Sequence, residues 1–271
     1  MDVLRRALQE DAGVTLDAAA LAIACIEYPG LDPAHYLGVL DQMALELARR
    51  LGPSPGGPLF LDVTNDYLFR ELGFRGNQTD YDDPRNSCLN EVLDRKLGLP
   101  ITLSVVYIEV ARRLGQPVAG IGLPGHFVVR FDNGEFSSYV DPFHEGKLLT
   151  ESDCLTLAGE ITGTDVSNEP SALAPVGVRY ILVRMLNNLR AAYFRRKEFA
   201  KASAVLDLLV EQFPANAEYY KARGVARLKL REFGAARSDF TTYLKHSPEA
   251  EDRAEVTRQL QAIHRWLGRL N

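Results

Sequence analysis

The chain has 271 residues, 46% hydrophobic and 25% charged, a composition that suits a soluble globular protein of one large or two modest domains. No apolar run approaches the roughly 18 residues of a spanning helix, and the N-terminal MDVLRRALQEDAG lacks the apolar core of a secretory signal, so neither a membrane nor an exported protein is expected. Net charge is −5, yet residues 179–271 hold 18 Lys/Arg against 10 Asp/Glu; these basic residues are scattered and fit no nucleic-acid-binding motif, so no nucleic-acid partner is expected.

The first 51 residues read as helices. Leu16–Ile26 is Ala-rich and periodic, with Cys25 a small buried side chain inside it. Asp32-Pro33 supplies an N-cap and a first helical residue for the next helix, whose stripe is Tyr36, Leu37, Leu40, Met43, Ala44 and Leu47; His35 there is expected to be solvated. GPSPGGP at 52–58 is a flexible break within the domain. An amphipathic helix over Leu59–Gly73 turns Val63, Tyr67, Leu68 and Leu72 inward. The polar and aromatic loop QTDYDDPRNSC follows, containing Tyr81, Asp83 and Asn86. Asp83-Pro84 then opens a helix over Arg85–Leu97 with Leu89, Val92, Leu93 and Leu97 inward, which puts Cys88 in its first turn.

Residues 98–141 form the centre of the reading. Ile101, Leu103, Val105, Val106, Ile108, Val110, Ala111 and Leu114 cover nearly every side of a helix, so it should be buried. Gly115 and Pro117 end it. His126–Phe131 alternates as a strand, Asn133-Gly134 is a hairpin signal, and Glu135–Asp141 returns. If Asn133 and Gly134 are the two loop residues, Asp132 pairs with Glu135, and the ladder sets His126 opposite Asp141. Directly opposed Cβ atoms lie roughly 4.5–5.5 Å apart, within reach of an imidazole–carboxylate hydrogen bond. That pair is either structural or functional.

His144 and Glu145 follow closely and invite a metal reading with His126 and Asp141, since imidazole and carboxylate suit zinc or iron. Their spacing matches no known ligand motif, so no metal and no cofactor are expected. Cys154 begins a short helix. The cysteines, Cys25, Cys88 and Cys154, make neither a metal spacing nor a full disulfide framework, which fits a reducing cytoplasm. Residues 161–178 are Thr-, Ser- and Pro-rich and read as a linker. Beyond Arg179, Phe199 recurs as Phe233, Ala202 as Ala236 and Pro214 as Pro248, each 34 residues on, the tetratricopeptide period. Repeats over 183–216 and 217–250 and a capping helix over about Glu251–Leu267 with Trp266 make an all-α segment, 179–271. Two repeats fall short of the roughly three needed alone, so docking on the first domain, 1–160, is expected.

A buried helix ending in Leu114-Gly115-Gln116-Pro117, then His126 on a strand and Asp141-Pro142 on the next, resembles the transglutaminase-like (papain-related) core. The resemblance implies an α+β fold with a helical N-terminal region and a small antiparallel sheet. It also implies a Cys–His–Asp site, with Cys opening the helix in a Gly-x-Cys motif. Gly98-Leu99-Pro100 stands there instead, so the nucleophile position is the degenerate Pro100. The runs CIEYPGLD, YLFRELGFRGNQTDYDDPRNS, LDRKLGLPITL and PGHFVVRF, with the repeats, are similar to the SirB family of bacterial proteins.

Three functions follow. The first is a non-catalytic or regulatory interaction protein, contacting proteins or peptides through its repeats. The second is a cysteine-type amide hydrolase or transferase using Cys88, His126 and Asp141, with Thr102 or Ser104 as hydroxyl alternatives. The third is a His–Asp pocket for a small ligand or metal. Pro100 favours the first, because proline has no nucleophilic atom.

Overall fold

Local capping chemistry sets where the helices over Pro33–Leu51, Glu151–Thr162 and Ala217–Lys229 begin. In the computed structural model, which describes residues 1–164 and 170–267, helices α1 (Asp2–Leu8) and α2 (Leu16–Ala24) lead into α3 (Pro33–Leu51). Asp32 caps α3, its carboxylate accepting from Ala34 N at 3.0 Å, with Pro33 at the first helical position. Leu40, Met43, Ala44 and Leu47 are buried as the stripe requires, and His35 is exposed. Helix α2 stops two residues earlier than expected. Cys25 becomes its C-cap and is half-buried rather than buried.

Helix α4 (Gly57–Asn65) runs into a π-helical turn over Asp66–Glu71. The wider turn sets back the phase of the helix; Tyr67, Leu68 and Phe69 are all buried while Val63 and Leu72 are half-buried. Strand β1 (Arg75–Gly76) pairs in parallel with β2 (Leu97–Gly98). Between them the expected helix over Arg85–Leu97 is broken in two. Asp83 caps a 3-10 turn, Pro84–Ser87, and α5 covers Leu89–Arg95. Cys88 lies between them with extended backbone, at the N-cap of α5 and not in its first turn.

Helix α6 (Pro100–Arg113) is the buried core helix. Ile101, Leu103, Val105, Val106, Tyr107, Val110 and Ala111 are all within 2% of full burial. Each such side chain contributes about 1.5–3 kcal/mol relative to exposure. Helix α6 packs on β3 (Val118–Ile121), on β4 (Val128–Asp132) and on the turn after β5 (Ser137–Asp141). With β6 (Lys147–Leu149) and β7 (Pro175–Val176) these strands form an antiparallel sheet in the order β6-β5-β4-β3-β7. Helix α7 (Glu151–Thr162), capped by Thr150, buries Cys154 and Ala158 against Ile121, Leu123, Val128 and Tyr139.

The β4–β5 register corrects the expected hairpin. Asp132 pairs with Ser137 and Val129 with Val140, so residues 133–136 form a four-residue loop. Asn133 Oδ1 holds the loop by accepting from Glu135 N and Phe136 N at 3.1 and 2.8 Å. The pairing is displaced by two residues, which leaves each ladder side chain on its own face, and β4 begins only at Val128, so His126 lies in the preceding turn and not on the strand as expected. Part of the expected linker over 161–178 is also ordered structure: α7 runs to Thr162, β7 adds an edge strand beside β3, and α8 (Val178–Arg195) has begun. Residues 165–169 lie outside the described residues.

The chain divides into two units, Met1–Met185 and Leu186–Asn271. In the second, α9 (Phe199–Gln212), α10 (Ala217–Lys229), α11 (Phe233–His246) and α12 (Arg253–Leu267) follow the end of α8. The 34-residue period is written in the backbone. Lys197 and Arg231 both have φ near +60°, and Glu198 and Glu232 share near-identical N-cap angles ahead of α9 and α11. Phe240 packs so closely on Gly224 that a Cβ there would lie 2.8 Å from its ring. The sequence positions 268–271 fall outside the described residues.

Candidate functional site

Asp141 ends β5 and caps the 3-10 turn Pro142–His144. Its Oδ1 accepts from Phe143 N at 3.0 Å and His144 N at 3.3 Å, as a capping carboxylate does. Its Oδ2 lies 2.9 Å from His126 Nε2 and 2.7 Å from His144 Nδ1. An ionised carboxylate only accepts, so both imidazole nitrogens donate to the same oxygen. Asp141 is 1% exposed. Burial works to raise its carboxyl, but the hydrogen bonds and charges of His126 and His144 prevail and hold it below the usual carboxylate range.

His126 is pinned by its main chain. The preceding Gly125 has φ +72°, and a Cβ on it would come within 2.4 Å of Ile161 Cγ2, so the turn needs glycine on both counts. From α8, Arg184 donates to Leu123 O at 2.9 Å and to His126 O at 2.6 Å, with its guanidinium over Phe127. Phe143 stands edge-on to both imidazoles and to Tyr81. Its other side fills the space of an absent Cβ at Gly76.

Among the described residues, the structure brings together His126, Asp141 and His144, whose ligating atoms lie within 4.8 Å of one another. Glu145 is outside that cluster. It is exposed, in left-handed backbone, and lines a hollow of about 300 Å³ with Arg75, Asn77, Thr79 and Phe143. Pro100 stands at the first position of α6, which packs on the Pro142–His144 turn. Thr102 Oγ1 accepts from Leu99 N and donates to Asn86 O at 2.8 Å, while Ser104 Oγ donates to Pro100 O at 2.8 Å. Both hydroxyls are therefore engaged by main chain.

Cys88 is fully buried, with Sγ 3.6 Å from Pro84 O. Burial, with Asp141 adding to it, pushes the Cys154 thiol up to about 12, so it stays protonated at neutral pH. The polar loop before Cys88 is tied inward. Asn77 donates to Asn86 Oδ1 at 3.0 Å, and Asn86 donates to the carbonyls of Asp80 and Tyr81. Sequence reasoning missed Arg184 and the Asn77–Asn86 pair. Neither has a local signal, because each partner lies on another element or across a loop.

Fold and site together define a transglutaminase-like domain followed by tetratricopeptide repeats. The transglutaminase-like superfamily matches residues 34–187 and the tetratricopeptide repeat matches 189–261. A UPF0162 protein of Xylella fastidiosa strain 9a5c is 36% identical over 246 residues, 90% of this chain and 88% of that protein. A UPF0162 protein of Pseudomonas aeruginosa is 29% identical over 89% of this chain and 88% of its own length. The chain belongs to the UPF0162 family. Mouse F-box only protein 21 is 32% identical over 166 residues, 57% of this chain but 25% of that protein. No solved structure matches the chain.

Proposed function

We propose that this is a non-catalytic or regulatory interaction protein of SirB type, acting in the cytoplasm through protein or peptide contacts of its repeat segment. The observation that carries this reading is the start of α6. Pro100 occupies the first helical position, and the only hydroxyls in the next turn, Thr102 and Ser104, already donate to main-chain carbonyls. Acyl transfer needs a nucleophile whose proton the imidazole can take, and Pro100 offers none. The repeats support the partner side of the reading, since tetratricopeptide arrays generally bind proteins. No helix among the described residues is long and apolar enough to cross a membrane.

The test is an amide-hydrolysis and amine-transfer assay on the full chain, with a thiol-reactive acyl probe run beside it. The reading expects no turnover and no labelling that depends on His126. Turnover abolished by both Cys88→Ser and His126→Ala would overturn it in favour of a Cys88–His126–Asp141 enzyme.

A further inference from the structure

We propose that His126, Asp141 and His144 bind one divalent first-row transition ion of the zinc class, in a site that opens on the His144 side. Two imidazoles and one carboxylate are a borderline donor set that suits zinc or ferrous iron and leaves coordination positions open. No thiolate is in the cluster to draw a softer ion, and two nitrogen ligands disfavour calcium and magnesium.

The geometry is close to what such an ion requires. Bonds of about 2.0–2.2 Å to nitrogen and oxygen place neighbouring ligand atoms about 3.0–3.5 Å apart. Here the two nitrogen-to-oxygen separations are 2.9 and 2.7 Å, and all three ligating atoms fall within 4.8 Å. The two nitrogen-to-oxygen separations would open by a few tenths of an ångström to admit the ion, and the two rings, whose nitrogens lie within 4.8 Å of each other, would turn to face it. Little ordering remains to be done, because the His126 and Asp141 side chains are 5% and 1% exposed. The His144 side chain, 43% exposed, gives the approach.

The surroundings are those of a supported ligand set. Asp141 Oδ1 is held by Phe143 N and His144 N, leaving Oδ2 for the ion. Arg184 fixes the His126 carbonyl, and Phe143 walls both rings. Such outer contacts orient ligands and raise affinity. Binding exchanges two imidazole-to-carboxylate hydrogen bonds for three metal bonds. His126 must then carry its proton on Nδ1 and His144 on Nε2. A neutral ring achieves this by changing tautomer, and a charged ring by releasing one proton.

The experiment uses the full chain stripped with a chelator, titrated with Zn²⁺ by calorimetry and with Co²⁺ by visible absorption. The expected result is one ion per chain and a zinc-dependent rise in Tm that the chelator reverses. His144→Ala should weaken binding by at least about 10–100-fold, the loss that even an outer-shell partner produces. Because His144 is the exposed ligand, that variant should keep its metal-free Tm. Asp141→Asn, which preserves shape, should weaken binding as well, and His246→Ala, remote in sequence and on the repeat unit, should not. Absence of one-to-one binding, binding that survives His144→Ala, or an equal loss in His246→Ala would overturn the site. The proposal is independent of the interaction reading: zinc uptake without turnover leaves both standing, and failure to take up zinc removes only this one.

Discussion

The His126–Asp141–His144 cluster and the repeat unit are built on opposite principles. In the repeat unit, contacts join neighbouring helices and recur with the 34-residue period, so small residues such as Gly224 and Ala236 mark where helices close on each other. The cluster instead hangs on one carboxylate that serves two rings and two backbone amides at once. A repeat spreads its stability over many equivalent contacts, whereas the cluster concentrates it on one residue. The repeat unit's charges follow the first pattern too: Arg223 and Arg227 on α10 each pair with both Asp207 and Asp239, so part of its basic excess is neutralised internally.

The sharpest way to break this comparison is Asp141→Ala. Removing the shared acceptor strands buried donors, and about 3–5 kcal/mol of stability should go with it. Hydrogen exchange across residues 137–149 checks this, and a loss below about 1 kcal/mol would show that the carboxylate is not the hub. Next is Gly224→Val, which pushes methyl groups into the Phe240 ring and should cost about 1–3 kcal/mol. Trp266 is the chain's single tryptophan and sits on Phe233 with ring centroids 4.0 Å apart, so its fluorescence reports the repeat unit. An unchanged denaturation midpoint by that probe would contradict close helix packing there.

The acid limb of stability should depend on the first unit. At Asp17, burial favours the neutral acid, but hydrogen bonds from Thr15 and Arg113 prevail and its carboxyl is held low. A carboxyl held low when folded binds fewer protons than when unfolded. Its contribution is therefore complete above the ordinary carboxylate value, about 4, and is lost as pH falls below it. Asp17→Asn should flatten the fall in Tm below about pH 4; an unchanged slope would remove Asp17 from the account. The smallest effect expected is at the β4–β5 loop. Asn133→Ala removes two acceptor contacts and should cost about 0.5–1.5 kcal/mol. It should leave zinc uptake alone, because the loop is at the far end of the hairpin from Asp141.

Much of the fold was legible in the residues. The buried face of α6, the cap at Asp32 and the repeat phase all follow from spacing that a helix reads locally. The closeness of His126 and Asp141 was legible as well, although the turn was not. Asn133-Gly134 suggested a two-residue loop, but the side chains of Asp132 and Asn133 cap a longer one. The pair met anyway, although His126 lies before β4 begins, because the Gly125 turn and the 3-10 turn after Asp141 bring ring and carboxylate together. The break at Cys88 escaped notice because a 3-10 turn and an α-helix share the same capping residues and apolar stripe.

Helix positions, the repeat register and the faces of the strands were thus inherent in the order of residues, because each depends on neighbours a few positions away. What only folding decided is the number of groups meeting at Asp141 Oδ2, and the anchoring of His126 by Arg184, 58 positions along the chain. Those depend on a left-handed glycine, a 3-10 turn and a distant guanidinium arriving together, and no periodicity encodes contacts between elements that far apart.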